Sequence, residues 1–161
     1  MPKIIIFGNS GSGKTTLAKK LSQKYQCGHL DLDTLAWLDT QPPTRQPVDV
    51  SQKQLQQFTD NNEKWIIEGC YADLIILVID QASEIIFLNL GTETCIQNCQ
   101  SRPWEPHKYK TPEEQDKNLD MLINWIKNYD QRDDEFSLKA HATLFNQYSG
   151  KKTEYQSNGR S

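Results

Sequence analysis

The stretch GNSGSGKTT, residues 8–16, constrains the fold of this chain more than any other feature. It satisfies the pattern GxxxxGK[ST], and it lies between an apolar run, Ile4–Phe7, and a segment at 14–25 with apolar residues at helical spacing. Backbone N–H groups of such a loop, together with the N-terminus of the following helix, bind phosphate oxygens. The sequence therefore predicts a strand, a phosphate-binding loop and a helix, in that order.

Each residue type in the loop has a chemical reason. Lys14 is expected to neutralise charge on the terminal phosphates of a nucleotide, and the hydroxyl of Thr15 is expected to ligate Mg²⁺. The glycines let the backbone approach the phosphates closely. The predicted nucleotide-binding residues of the loop are Gly8, Asn9, Ser10, Gly11, Ser12, Gly13, Lys14, Thr15 and Thr16.

Apolar runs and helical patterns alternate along the rest of the chain. Strands are predicted at 4–7, 29–33, 65–67, 85–90 and 151–155, and helices at 14–25, after the capping-box pair Ser51 and Gln54, at 92–101, after Thr111 and from Asp133. This alternation predicts an α/β fold with a parallel sheet that helices cover on both faces. We expect residues 1–161 to form a single domain.

The segment LIILVID, residues 74–80, has two interpretations. It resembles a strand that ends in an acidic residue, as in a Walker B motif. Only four residues separate it from the strand predicted at 85–90, however, and two parallel strands need a crossover of a dozen or more residues. We therefore favour a buried helix over 73–79 and do not include Asp80 in the site.

Carboxylates lie at the carboxyl ends of two of the predicted strands. Asp31 and Asp33 are two residues apart, so on a strand they share a face, and Glu68-Gly69 follows the strand at 65–67. The carboxyl ends of parallel strands form the ligand-binding edge of an open α/β sheet. We expect one aspartate to hold Mg²⁺, directly or through water, and the other to accept a proton from a substrate hydroxyl. Glu68 is expected to orient a Mg²⁺-bound water or to bind substrate, together with Gly69.

A proline-rich, cationic loop begins at Arg102, and such a loop is expected to close over phosphates, with Arg102 stabilising charge in the transition state. His107 in this loop is a weaker candidate for a phosphate contact. Arg132 is a candidate nucleotide-binding residue. Arg45 and Trp37 are candidates for substrate binding, and Trp37 could wall the substrate pocket.

Composition excludes some classes of protein. With 18 Lys and Arg against 21 Asp and Glu, the net charge is -3, which argues against a general nucleic-acid binder. No apolar run approaches the roughly 20 residues of a membrane-spanning helix, and the N-terminal MPKIIIFG lacks the apolar length of a signal peptide. We expect a cytoplasmic protein that is a monomer or a homodimer and does not bind membranes.

The loop spacing Gly8-x2-Gly11-x-Gly13-Lys14-Thr15 resembles that of small-molecule kinases of the adenylate-kinase and shikimate-kinase group. HLDLDTLAW resembles the DxD region of shikimate kinases and the HLD segment of topology-modulation-type P-loop proteins, and WIIEGCY resembles the W[IV][IV][DE]GxY segment of the latter. The Arg102 loop occupies the position of the lid in these kinases, roughly residues 102–112. The resemblance spans nearly the whole chain.

The resemblance implies a P-loop NTPase three-layer sandwich with a five-stranded parallel sheet of order 2-3-1-4-5 and a small lid. It also implies ATP with Mg²⁺ as cofactors, Asp31 on the Mg²⁺ side and Asp33 on the acceptor side. Shikimate kinases carry a Gly-Gly-Gly motif where this chain has Glu68-Gly69-Cys70-Tyr71, which argues against shikimate as the acceptor.

The predicted function is therefore transfer of the ATP γ-phosphoryl group to a small hydroxylated metabolite, with Lys14, Asp33 and Arg102 as catalytic residues. Two alternatives share the phosphate-binding loop. One is an ATP-dependent regulatory switch without small-molecule kinase activity, and the other is a kinase that acts on nucleotides or nucleic acids.

Overall fold

The computed structural model describes residues 1–158 as an α/β fold built on a five-stranded parallel sheet. The sheet strands are β1 (Lys3–Gly8), β2 (Gly28–Asp31), β5 (Trp65–Gly69), β6 (Glu84–Leu88) and β7 (Lys151–Tyr155). A separate two-stranded hairpin consists of β3 (Trp37–Leu38) and β4 (Thr44–Arg45), which pair antiparallel. The spatial order is β2-β5-β1-β6-β7. Counted among the five sheet strands alone, this is the predicted order 2-3-1-4-5.

Seven α-helices connect these strands in the described part of the chain: α1 (Lys14–Tyr25), α2 (Asp33–Ala36), α3 (Val48–Asn61), α4 (Ala72–Ile75), α5 (Thr92–Gln100), α6 (Pro112–Lys127) and α7 (Leu138–Gln147). A 3₁₀ turn covers Ile79–Gln81. None of the helices within residues 1–158 has both the length and the apolar character that crossing a membrane requires.

The central strand β1 is buried on both faces, and its side chains alternate between two apolar clusters. Ile5 and Phe7 belong to one cluster with residues of α2, α3, α4 and α7. Ile4 and Ile6 belong to the other, together with Ala18 of α1. This two-sided burial explains why the strand is a continuous apolar run, and it confirms the predicted three-layer arrangement.

Two predicted helix starts are wrong. α3 begins at Val48, and Ser51 is buried inside the helix, where its hydroxyl donates to the Leu35 carbonyl at 2.8 Å instead of capping. The helix predicted from Asp133 begins at Leu138, with the Ser137 hydroxyl accepting from the Ala140 N–H at 3.0 Å. In both places tertiary or local hydrogen bonds to serine decide the boundary, which a pattern of residue types does not reveal.

The segment that resembled a Walker B strand is helical, although it is not one helix. α4 ends at Ile75, turns follow, and the 3₁₀ turn begins at Ile79. Leu74 and Ile75 are fully buried, whereas Ile76 is 52% exposed. The strand interpretation is excluded, and the short interruptions let this segment pack one face against the sheet.

The sequence predicted that Asp31 and Asp33 lie on one strand, and this prediction is wrong. β2 ends at Asp31, and Asp33 is the first residue of α2. The Asp33 N–H donates to Asp31 Oδ1 at 3.0 Å, a turn-forming bond that competes with extension of the strand. The helix that follows Thr111 is confirmed, because the Thr111 hydroxyl accepts from the Glu114 N–H at 3.1 Å.

A buried histidine lies beneath the carboxyl edge of the sheet. His141 of α7 has no exposed surface; its Nδ1 is 2.6 Å from the Tyr129 hydroxyl, and its Nε2 is 2.9 Å from the Cys70 carbonyl. Because Nε2 can only donate to that carbonyl, Nδ1 accepts from Tyr129, and the ring is the neutral tautomer. Burial lowers the pKa of His141 to about 4.

Replacement of His141 by Asn should therefore change the acid sensitivity of the fold. In the wild type the unfolded state binds a proton near pH 6.5 and the folded state only near the lowered pKa, so stability is lost as pH falls between them. We expect the stability difference between wild type and His141→Asn to shrink by roughly 2–3 kcal/mol between pH 7 and pH 4.5, measured by urea unfolding.

His107→Gln provides the control, since His107 is exposed and its replacement removes no buried imidazole. A wild-type-minus-His141→Asn difference that stays constant across this pH range would contradict the account of a neutral buried imidazole.

Candidate functional site

The main cavity of the described chain opens at the carboxyl edge of the sheet, between the phosphate-binding loop, the ends of β2 and β5, and the loop that joins α5 to α6. It has a volume of about 500 Å³. We call the connecting loop, residues 101–111, the lid loop. The cavity is lined by Ser10, Gly11, Gly13, Lys14, Thr15, Thr16, Lys19, Asp31, Asp33, Glu68, Gly69, Cys70, Arg102, Pro103, Trp104, Glu105, Pro106, His107, Lys108, Tyr109 and Leu122.

The phosphate-binding loop depends on glycine at two positions. Gly11 and Gly13 have φ of 78° and 87°, in the left-handed region that other residues rarely adopt. A Cβ on Gly11 would also lie 2.5 Å from the Cys95 carbonyl oxygen, so the loop packs directly on α5. The Asn98 amide of α5 donates to the Gly11 carbonyl at 2.8 Å and fixes the loop further.

Lys14 is held at the mouth of this loop. Its Nζ donates to the Asn9 carbonyl at 2.8 Å and lies 3.3 Å from the Gly8 carbonyl. Asn9 and Ser12 are themselves buried beneath the loop, and the Asn9 amide donates to the Ile126 carbonyl at 3.3 Å. The ammonium group is thereby placed over the loop interior, and among residues 1–158 it has no acidic partner, so it is available to an anion.

A hydrogen-bonded chain joins the first turn of α1 to β2. The Thr15 hydroxyl donates to Glu68 Oε1 at 2.7 Å, and Glu68 Oε2 lies 2.7 Å from His29 Nε2. Glu68 is 2% exposed. With its proton committed to Glu68, the Thr15 hydroxyl keeps its lone pairs free toward the cavity, an orientation that suits a ligand of a hard cation.

Asp31 is partly buried beside two other carboxylates, those of Asp33 and Glu68. Burial, followed by the neighbouring charges of Asp33 and Glu68, raises the pKa of Asp31 to about 6. The register of the sheet brings these groups together, since Asp31 lies opposite Glu68 in the β2–β5 pair. A cation bound here would relieve the repulsion, and oxygen ligands of this kind are those that Mg²⁺ prefers.

Asp33 lines the cavity, and its side chain is 49% exposed. Tyr71 donates a very short hydrogen bond to its Oδ1, and Lys108 Nζ of the lid loop lies 3.9 Å from its Oδ2. The Trp37 indole N–H in turn donates to the Tyr71 hydroxyl at 2.8 Å. One carboxylate oxygen of Asp33 is therefore anchored from behind while the other faces the cavity.

Two cations of the lid loop, Arg102 and Lys108, are paired with an acidic residue of the same loop, Glu105. Arg102 Nη1 lies 3.8 Å from Glu105 Oε2, and Lys108 Nζ lies 4.0 Å from the same oxygen. That oxygen is buried and accepts no hydrogen bond among the described residues. Long ion pairs of this kind are weak, so phosphates entering the cavity can take over both cations.

Of the site residues predicted outside the phosphate-binding loop, three lie away from the lining of the cavity. Arg132 stacks on Trp125, with 3.4 Å from its guanidinium carbon to the ring centroid, and pairs with Asp134 at 3.1 Å. Arg45 is bound by acidic side chains, and Trp37 contacts Tyr71 behind Asp33. Their predicted contacts with ligands stay predictions, whereas Arg102, Asp31, Asp33, Glu68 and Gly69 line the cavity with most of the loop.

Sequence reasoning missed His29 and Tyr71. His29 is two residues before Asp31, and the alternation of side chains along β2 already places both on one face. Tyr71 follows the end of β5 by two residues, close to the predicted Glu68-Gly69 pair. Alternation of side chains along β2 was therefore the available signal for His29, and position just after the end of a parallel strand was the signal for Tyr71.

Comparison with known proteins bears on the family and the fold of this chain. The family model AAA_18, described as an AAA domain, matches residues 4–121. A protein of Bacillus subtilis (strain 168), described as the uncharacterized protein YqaC, is 34% identical over 85 residues. That alignment spans 47% of this chain and 47% of YqaC, so the chain matches about half the length of this relative.

Two solved structures are similar in shape. Shikimate kinase from Bacteroides thetaiotaomicron superimposes with a TM-score of 0.58 at 16% identity, over 97% of this chain and 86% of that one. Deoxyadenosine kinase from M. mycoides with bound dATP gives a TM-score of 0.46 at 17% identity, over 96% of this chain and 90% of that one. The first likeness establishes a P-loop kinase fold. With the family model covering most of its length, the chain belongs to the AAA_18 family of AAA domains.

Proposed function

We propose that this protein is an ATP-dependent kinase that transfers the γ-phosphoryl group to a hydroxyl of a small molecule. The observation that carries this function is the position of Asp33. Asp33 lines the same cavity as Lys14 and the phosphate-binding loop, and its Oδ2 lies 3.9 Å from Lys108 of the cationic lid loop. Phosphoryl transfer needs positioned charges and a proton acceptor more than covalent chemistry, and these groups supply both.

The phosphate-binding loop and the lid loop would hold the triphosphate from two sides. Loop residues 8–16 would surround the β- and γ-phosphates with backbone N–H groups, and Lys14 would neutralise their charge. Arg102 would leave Glu105 and stabilise the charge that develops during transfer. Trp104 and the lid prolines would exclude water from the cavity.

The residues around Thr15 fit a magnesium ion. No group of three or more His, Cys, Asp or Glu side chains within residues 1–158 forms a complete metal site by itself, so phosphates and water would complete the coordination. Thr15 would provide a direct ligand, while Asp31 and Glu68 would bind the ion or its water molecules. When bound, the ion neutralises charge on the phosphates.

Transfer would proceed by displacement at the γ-phosphorus. The acceptor hydroxyl oxygen bonds to that phosphorus, the bond from phosphorus to the β–γ bridging oxygen breaks, and ADP leaves with the electron pair. Asp33 Oδ2 accepts the hydroxyl proton as the new bond forms. Lys108, 3.9 Å from that oxygen, is released from Asp33 when the proton neutralises the carboxylate.

A phosphorylation screen tests the activity. Wild-type protein incubated with γ-labelled ATP, Mg²⁺ and a pool of small metabolites should label at least one acceptor. Lys14→Ala should reduce that labelling at least about 100-fold, because it removes the charge that stabilises the transferring group. Lys20→Ala is the matched control, since Lys20 is exposed on the same helix. Equal labelling by wild type and Lys14→Ala would argue against a kinase.

Substitution of Asp33 separates a kinase from a regulatory switch. Asp33→Asn keeps an oxygen that can accept from Tyr71 but loses the basic carboxylate, so we expect turnover to fall about 10²–10⁴-fold. The affinity for ATP, measured by calorimetry, should stay within about twofold. Asp60→Asn on α3 serves as the control. A regulator, by contrast, would retain its ATP-dependent output in Asp33→Asn.

A further inference from the structure

Tyr71 is a buried tyrosine whose hydroxyl lies against the side of Asp33 that faces away from the cavity. The residue is 2% exposed and follows β5 by two positions. It does not line the cavity, so it does not meet substrate directly. Its hydroxyl nevertheless contacts the carboxylate that the proposed reaction uses, which makes it the nearest polar group behind that carboxylate.

The direction of the hydrogen bonds around Tyr71 is fixed by chemistry. The Trp37 indole N–H can only donate, and it donates to the Tyr71 hydroxyl oxygen at 2.8 Å. The one hydroxyl proton of Tyr71 is thus available for Asp33 Oδ1 alone. Burial raises the pKa of Tyr71 far above its usual range, so the hydroxyl stays protonated and remains a donor.

The tyrosine ring is itself held by charged and aromatic neighbours. The Arg45 guanidinium carbon lies 5.0 Å from its centroid, and the Phe136 ring packs edge-on at 5.3 Å. Arg45 in turn pairs with Asp73 at 3.0 Å and donates to the Ala36 carbonyl at 3.1 Å. Arg45 therefore anchors the ring to α4 and to the end of α2, the helix that begins with Asp33.

We infer that Tyr71 is a positioning residue that orients Asp33 for proton transfer, and that Trp37 commits the Tyr71 hydroxyl to this task. This inference rests on the proposed kinase function. Tyr71 occupies Oδ1, so Oδ2 is left to face the acceptor hydroxyl, and the carboxylate plane is set before substrate binds. Trp37 then acts on Asp33 through Tyr71.

Tyr71→Phe tests the inference because it keeps the ring and removes only the hydroxyl. We expect kcat to fall roughly 10- to 100-fold through loss of orientation, while the KM for ATP changes less than about twofold. The acid limb of the kcat–pH profile should move to higher pH, because a hydrogen bond that favours the charged carboxylate is lost. Trp37→Phe should change both quantities in the same direction by a smaller amount.

Tyr148→Phe is the matched control. Its hydroxyl also donates one hydrogen bond, to the Ala82 carbonyl at 2.8 Å, but Tyr148 is not among the residues that line the cavity. A purely structural effect of Tyr71 would lower stability as Tyr148→Phe does and leave the pH profile of kcat unchanged, and that result would overturn the inference while the kinase function stood.

If the wild type labels no acceptor, the proposed function fails. Crystal structures of the wild type and of Tyr71→Phe then test the positioning role of Tyr71 independently, because they show the orientation of the Asp33 carboxylate with and without the hydroxyl. A carboxylate that rotates when the hydroxyl is removed supports the positioning role. A carboxylate that keeps its orientation in Tyr71→Phe overturns it.

Discussion

The parallel pairing of β1 with its two neighbours determines where every group of the candidate site lies. β1 is hydrogen-bonded to β5 on one side and β6 on the other, and it ends at Gly8, where the phosphate-binding loop begins. The same pairing places Glu68 opposite Ile6 of β1 and Asp31 of β2. Burial of β1 on both faces therefore stabilises the fold and aligns the phosphate loop with two carboxylates at one edge.

The grouping of carboxylates at this edge of the sheet lowers the free energy of unfolding near neutral pH. Asp31 holds its proton more tightly in the folded state than in the unfolded state, so its contribution to stability decreases as pH rises from about 4 to about 6. His141 has the opposite sign, because its lowered pKa makes the fold more stable as pH rises toward neutrality. A carboxylate cluster with this cost is typical of a site built to bind cations or to accept protons.

The lid loop and the aromatic residues behind Asp33 have different roles in the proposed site. The lid loop carries cations that are only loosely paired with Glu105, so they can respond to an incoming anion. Tyr71 is buried, accepts from the Trp37 indole N–H and donates to Asp33 Oδ1, so it fixes one oxygen of the Asp33 carboxylate. Loosely paired cations on one side and an anchored carboxylate on the other are compatible with the proposed binding and transfer.

The resemblance to small P-loop kinases implied the strand order, whereas local patterns in the sequence predicted the main lining residues. A buried strand, a glycine loop and an amphipathic helix are recognisable in sequence, and parallel strands then bring Asp31 and Glu68 to one edge. The position of Arg45 outside the cavity could not be predicted from local patterns, because its partners Asp73 and Glu135 come from distant segments of the chain. Ser51 likewise bonds across the fold to Leu35, which no capping pattern encodes.

A crystal structure with a non-hydrolysable ATP analogue and Mg²⁺ would test the central claim most directly. The account predicts that the β- and γ-phosphates lie in the loop of residues 8–16, with Lys14 and Arg102 on the γ-phosphate and Asp33 Oδ2 facing it across a space for an acceptor hydroxyl. A nucleotide bound elsewhere, or a γ-phosphate separated from Asp33 by protein atoms, would contradict it.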